Sequence, residues 1–136
     1  MATVSSWNPF GVALDLTATA GTITRTSATK FTVVLNVSWK AHYSGAKTNY
    51  GMKATSGGVT KTISAFDGTA RASGSASFTG TYSISGSASA SKTITVTFNN
   101  FKTDNGDSAT KDVSLNVTVP AWNYKLTVVY NANGGT

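Results

Sequence analysis

Along much of this chain large apolar residues return at every second position, the period of a strand with one buried face. The clearest run is Phe31 to Trp39, where Phe31, Val33, Leu35, Val37 and Trp39 alternate with Thr32, Val34, Asn36 and Ser38. Upstream, Val12, Leu14, Leu16 and Ala18 alternate in the same way. Gly21 then interrupts the run and Thr22 to Arg25 continues it around Ile23, which predicts a kinked first strand. Tyr50, Met52 and Ala54 form a weaker alternation, Gly57-Gly58 turns the chain, and Val59 to Phe66 reads as the returning strand before Asp67-Gly68. Residues 69 to 91 are rich in Ala, Ser and Gly. With Phe78, Tyr82 and Ile84 as their large apolar anchors, they predict one strand over Ser75 to Ile84.

Lys92 to Val119 predicts a hairpin, because Asn105-Gly106 between Asp104 and Asp107 has the chemistry of a two-residue type I′ turn. With Asp104 opposite Asp107, Phe98 faces Val113, Val96 faces Leu115 and Ile94 faces Val117. A slip of one residue sets those apolar side chains against Asn116 and Ser114 and spoils the match. Pro120 closes the strand, Ala121-Trp122-Asn123 reads as a junction, and Tyr124 to Tyr130 reads as a fresh strand before the turn-rich residues 131–136. The expectation is an all-β, immunoglobulin-like, two-sheet antiparallel β-sandwich of about seven strands over residues 1–120, with a barrel as the alternative. Residues 121–136 are expected to be a linker and the first strand of a truncated following repeat.

Composition sharpens this picture. Strong helix formers are scarce, Ser, Thr, Gly and Val dominate, and 136 residues suffice for one domain. The chain has no Cys, no Glu and a single His. Disulfides, thiol nucleophiles, Cys-ligated zinc, iron–sulfur clusters and multi-histidine metal sites are therefore excluded. There is no apolar run of about 18 residues and no basic n-region at the start, so neither a spanning helix nor a signal peptide is read. The core is expected to fold on apolar burial alone, with no cofactor.

The tail Tyr124-Lys125-Leu126-Thr127-Val128-Val129-Tyr130-Asn131-Ala132-Asn133-Gly134-Gly135-Thr136 resembles the opening strand and turn of the internalin B-type B repeat of bacterial surface and phage tail proteins. Ser91 to Phe98, Asp104 to Asp107 and Ala109 to Pro120 are similar in style to β-sandwich modules of phage tail and baseplate proteins. These resemblances imply a non-enzymatic spacer or receptor-binding module in a virion or on a cell surface. Its partners would be neighbouring domains or subunits of a larger assembly, and they carry over no catalytic residue.

Candidate chemistry is thin beside this. A nucleophilic triad would need His42 as base, yet there is no Gly-x-Ser-x-Gly elbow, and His42 with Tyr43, Ser44 and Gly45 reads as an exposed loop. Paired carboxylates for glycoside hydrolysis would have to come from Asp15, Asp67, Asp104, Asp107 and Asp112. Asp104, Asn105, Asp107 and Ser108 offer oxygens to Ca²⁺, but without EF-hand spacing, and turn chemistry accounts for them. Gly45-Ala46-Lys47-Thr48 lacks the upstream glycine of a phosphate loop.

The net charge of +6, from eleven basic and five acidic residues, is spread along the chain. It reads as a solvated face with lysines on outward strand positions, so neither nucleic acid nor membrane insertion is expected. Rings off the core rows can stack on a pyranose, which makes Trp7, His42, Tyr43, Tyr50 and Trp122 the candidates for binding a cell-surface glycan. Trp7 and Trp122 read more readily as plugs at the ends of the sandwich or as contacts to neighbouring domains. Asn36-Val37-Ser38 and Asn116-Val117-Thr118 match glycosylation sequons but lie inside predicted strands.

Overall fold

The period-two rows become strands in the computed structural model, which describes residues 2–7, 14–41, 50–66, 73–102 and 107–122. Eight strands follow in order: β1 (Ala2–Trp7), β2 (Leu14–Arg25), β3 (Lys30–Ala41), β4 (Tyr50–Ser56), β5 (Val59–Phe66), β6 (Ser73–Ser83), β7 (Ala90–Lys102) and β8 (Asp107–Val119). One sheet has the order β1-β2-β3-β6 and the other β5-β4-β7-β8, and every pairing is antiparallel. The chain changes sheet after β3, β5 and β6, as an immunoglobulin-like sandwich requires. In the constant-type arrangement the fourth of seven strands stays in the first sheet. Here its counterpart, β5, pairs with β4 in the second.

Facing rows of the two sheets supply the core. Leu14, Leu16 and Ala18 of β2, the Phe31-to-Trp39 row of β3 and Phe78 of β6 are buried, and so, from the second sheet, are Met52, Ala54, Ile63, Ile94, Val96, Phe98, Val113, Leu115, Val117 and Val119. Val12 lies outside the described residues. β1, whose residues carry no clear alternation, is the strand that the periodicity did not predict. It pairs with β2 from Ala2 opposite Thr19 to Trp7 opposite Leu14.

The kink around Gly21 is a β-bulge. The register shifts between Ala20, opposite Leu35, and Ile23, opposite Val33. One extra residue reverses which positions face inward. Even-numbered residues point to the core before the bulge, and after it Ile23 and Arg25 do, with Arg25 opposite Phe31.

The hairpin of β7 and β8 differs from the expected register by two residues. Val96 faces Val113, Ile94 faces Leu115, Phe98 faces Lys111, and Lys102 faces Asp107. The connection is therefore residues 103–106, not a two-residue Asn105-Gly106 turn; those four residues lie outside the described set. A displacement of two preserves every side chain's face, so the apolar pattern cannot discriminate between the two registers. The solvent face can. In the observed register Thr93 Oγ1 donates to Asn116 Oδ1 at 2.8 Å and Thr97 Oγ1 donates to Asp112 Oδ1 at 2.7 Å. Directly opposed Cβ atoms lie within about 5.5 Å and diagonal ones near 7 Å. In this Cys-free chain, Thr97→Cys with Asp112→Cys is thus expected to oxidise to an intramolecular disulfide, and Thr97→Cys with Ser114→Cys to stay reduced under the same conditions. Mass spectrometry of the two variants reads the difference, and the reverse result would restore the two-residue turn.

Candidate functional site

Strand pairing sorts the candidate ring-bearing residues by end of the sandwich. Trp7 closes β1 opposite Leu14, which itself faces Ala41, the last residue of β3. Tyr50 opens β4 opposite Phe66 and Lys102. All of these strand ends lie at one pole. His42 and Tyr43 follow Ala41 directly in the chain, but they lie outside the described residues, as do the side chains of Trp7 and Tyr50. Trp122 is at the opposite pole, partly buried, with its N–H donating to Ser87 O at 2.8 Å. The five candidates therefore do not form one group. The possible cation ligands Asp104 and Asn105, the segment 45–48 and the fresh strand 124–130 also lie outside the described residues.

The outer face of the first sheet carries a shallow depression of about 410 Å³, lined by Thr17, Thr19, Asn36, Ser38, Ser75 and Ser77. Ser77 Oγ donates to Asn36 Oδ1 on the neighbouring strand. The depression offers hydroxyls and a carboxamide, with no ring and no charge. A hydrogen bond made there replaces one to water and is worth only ~0.5–1.5 kcal/mol net. Among the described residues no three His, Asp or Glu side chains lie together as a metal would require. No protein family, curated protein or solved structure matches this chain.

Among the described residues three polar side chains are buried: Asn100 near the Tyr50 end of β7, and Ser56 and Arg25 at the opposite pole. Ser56, at the end of β4, donates from Oγ to Thr95 O at 2.7 Å, so the Tyr82 hydroxyl, 2.5 Å away, is the donor of the second bond to Ser56. Tyr82 also stacks on Phe31, with ring centroids 5.3 Å apart. Burial pushes the Tyr82 phenol above its ordinary value; the Ser56 hydroxyl, when it turns towards the phenolate, works the other way. A raised folded-state value gives stability that is present below about pH 10 and lost as the pH climbs through the shifted value. Urea midpoints measured between about pH 9 and 12 are expected to fall, and Tyr82→Phe is expected to flatten that fall; an equally steep fall in Tyr82→Phe would place its cause elsewhere.

Arg25 is the residue that charge reading misplaced. Grouped by sequence with solvated surface cations, it is 8% exposed. Its Nε donates to Ser27 O at 3.0 Å, Nη2 to Ala28 O at 2.8 Å and to Gly86 O, and Nη1 to Pro120 O at 2.9 Å and, longer, to Ala88 O at 3.5 Å. A guanidinium has five N–H donors, and each here meets a main-chain carbonyl. Parity was the available signal. An apolar Ile23 out of step with Leu14, Leu16 and Ala18 implies an inward Arg25 two residues later. Lys92 and Lys111 depart from the expected outward positions too, lying partly buried at the ends of inner rows, opposite Val117 and Phe98. Lys30, Lys40, Lys53 and Lys61 are exposed, as expected.

Proposed function

We propose that this chain is a non-enzymatic structural or adhesive β-sandwich module of a phage tail or bacterial surface protein. The observation that carries the reading is a core completed by the chain itself. Apolar rows of both sheets close on one another, and the buried guanidinium of Arg25 is satisfied by main-chain carbonyls. The resemblance of residues 124–136 to a surface-protein repeat supports the same reading. An antibody raised against the folded module and used to label virions and cells of the source organism is expected to decorate a tail or an outer surface in electron micrographs. Label confined to the cell interior would remove the proposal.

A second reading, a module recognising cell-wall glycans, is favoured by the convergence of Trp7, Tyr50 and the start of the 42–49 connection at one pole. It predicts saturable binding to wall polysaccharide that Trp7→Ala or Tyr43→Ala weakens by roughly tenfold, the worth of one stacked ring. Flat titrations across such polysaccharides would eliminate it.

A further inference from the structure

We propose that Arg25 is a charged clasp that pins the segment following β8, from Pro120 to Trp122, to the sandwich. A buried cation is costly unless hydrogen bonds replace its lost water, and the carbonyls that do so here come from three separate pieces of chain. Ser27 and Ala28 belong to the β2–β3 turn, Gly86 and Ala88 to the β6–β7 connection, and Pro120 is the first residue beyond β8. The β-bulge in β2 is what turns the guanidinium inward to reach all three.

The arrangement couples the clasp to the segment after β8 at two points. Nη1 holds Pro120 directly through its carbonyl. Gly86 and Ala88, both bonded to the guanidinium, flank Ser87, whose carbonyl accepts the N–H of Trp122. Ile84 N–H donates to Thr29 O at 3.0 Å, so the turn and the connection are also tied to each other. With Pro120 and Trp122 both anchored, the segment after β8 is held to the sandwich as far as Trp122. The clasp is independent of whether the module is viral or bacterial, structural or glycan-binding.

Hydrogen–deuterium exchange of the full 136-residue chain, read by NMR, tests this. In Arg25→Gln the Trp122 amide is expected to lose at least tenfold more protection than the amides of Val33 to Val37 in β3, with Arg25→Lys between Gln and wild type. A Trp122 amide that changes only in step with β3 would overturn the proposal. Should neither variant fold, the wild type decides. Separately resolved, slowly exchanging Arg25 guanidinium protons together with a protected Trp122 amide support the clasp, and a single averaged, fast-exchanging guanidinium signal refutes it.

Discussion

Phe98→Ala is expected to destabilise the sandwich by about 3–5 kcal/mol, the range for truncating a fully buried aromatic side chain in a core that relaxes only partly. Phe98 is 0% exposed and projects from β7, a strand paired on both sides, with Ala54 of β4 as its register partner. An alanine there removes the largest side chain of the inner row Ile94, Val96 and Phe98 and leaves a void in the core. A domain of this size has in all roughly 5–15 kcal/mol to lose, so the variant should be marginal at 37 °C. Thr95→Ala, on the exposed face of the same strand, is expected to stay within about 0.5 kcal/mol of wild type. Urea unfolding of the two variants measures the difference. Similar midpoints would mean that the inner face of β7 is not the core.

That contrast also marks how far the sequence could be read. Period-two alternation located β2 to β8 because an inner face must shed water and an outer face need not, and this holds for Leu35 beside Asn36 as much as for Val96 beside Thr97. It could not fix the β7–β8 register, since a displacement of two leaves Ile94, Val96 and Phe98 facing the same core. The decision lay with polar partners on the outer face, such as Thr97 with Asp112, whose bonds carry no sequence period. β1 escaped notice for a related reason: Ala2 to Trp7 has no alternation of its own and is a strand because β2 offers it an edge. Of the candidate site, sequence supplied a set of ring-bearing residues and not their arrangement. The end of the sandwich at which Trp7, Tyr50 and Trp122 stand in the chain depended on strand pairing and the β6–β7 connection, and the inward turn of Arg25 on a single inserted residue at the bulge.

Gly57→Ala is expected to cost about 2–5 kcal/mol, and clearly more than Gly58→Ala, although the two glycines are neighbours in one turn. Both have positive φ, +56° and +79°, the signature of a type I′ connection between Ser56 and Val59, and an alanine at either position bears a left-handed strain of about 1–2 kcal/mol. Their surroundings differ. A Cβ on Gly58 would meet nothing within 4 Å, whereas one on Gly57 would lie 2.6 Å from both Gly80 Cα and Thr81 N. Those are main-chain atoms of β6 and cannot swing aside, so overpacking adds a further ~1–3 kcal/mol to the strain. Relief requires the turn to lift off β6. That breaks the 3.1 Å bond from Thr81 N–H to Gly57 O and draws Ser56 away from Tyr82. The β4–β5 turn is the place where the edge of the second sheet closes onto the edge of the first, and opening it admits water to the Ser56–Tyr82 pair. Gly57→Ala is therefore expected to lower the urea midpoint and to return the phenol of Tyr82 towards its ordinary titration range, while Gly58→Ala leaves that titration in place. Equal costs at the two positions would mean that the turn does not bear on β6 at all.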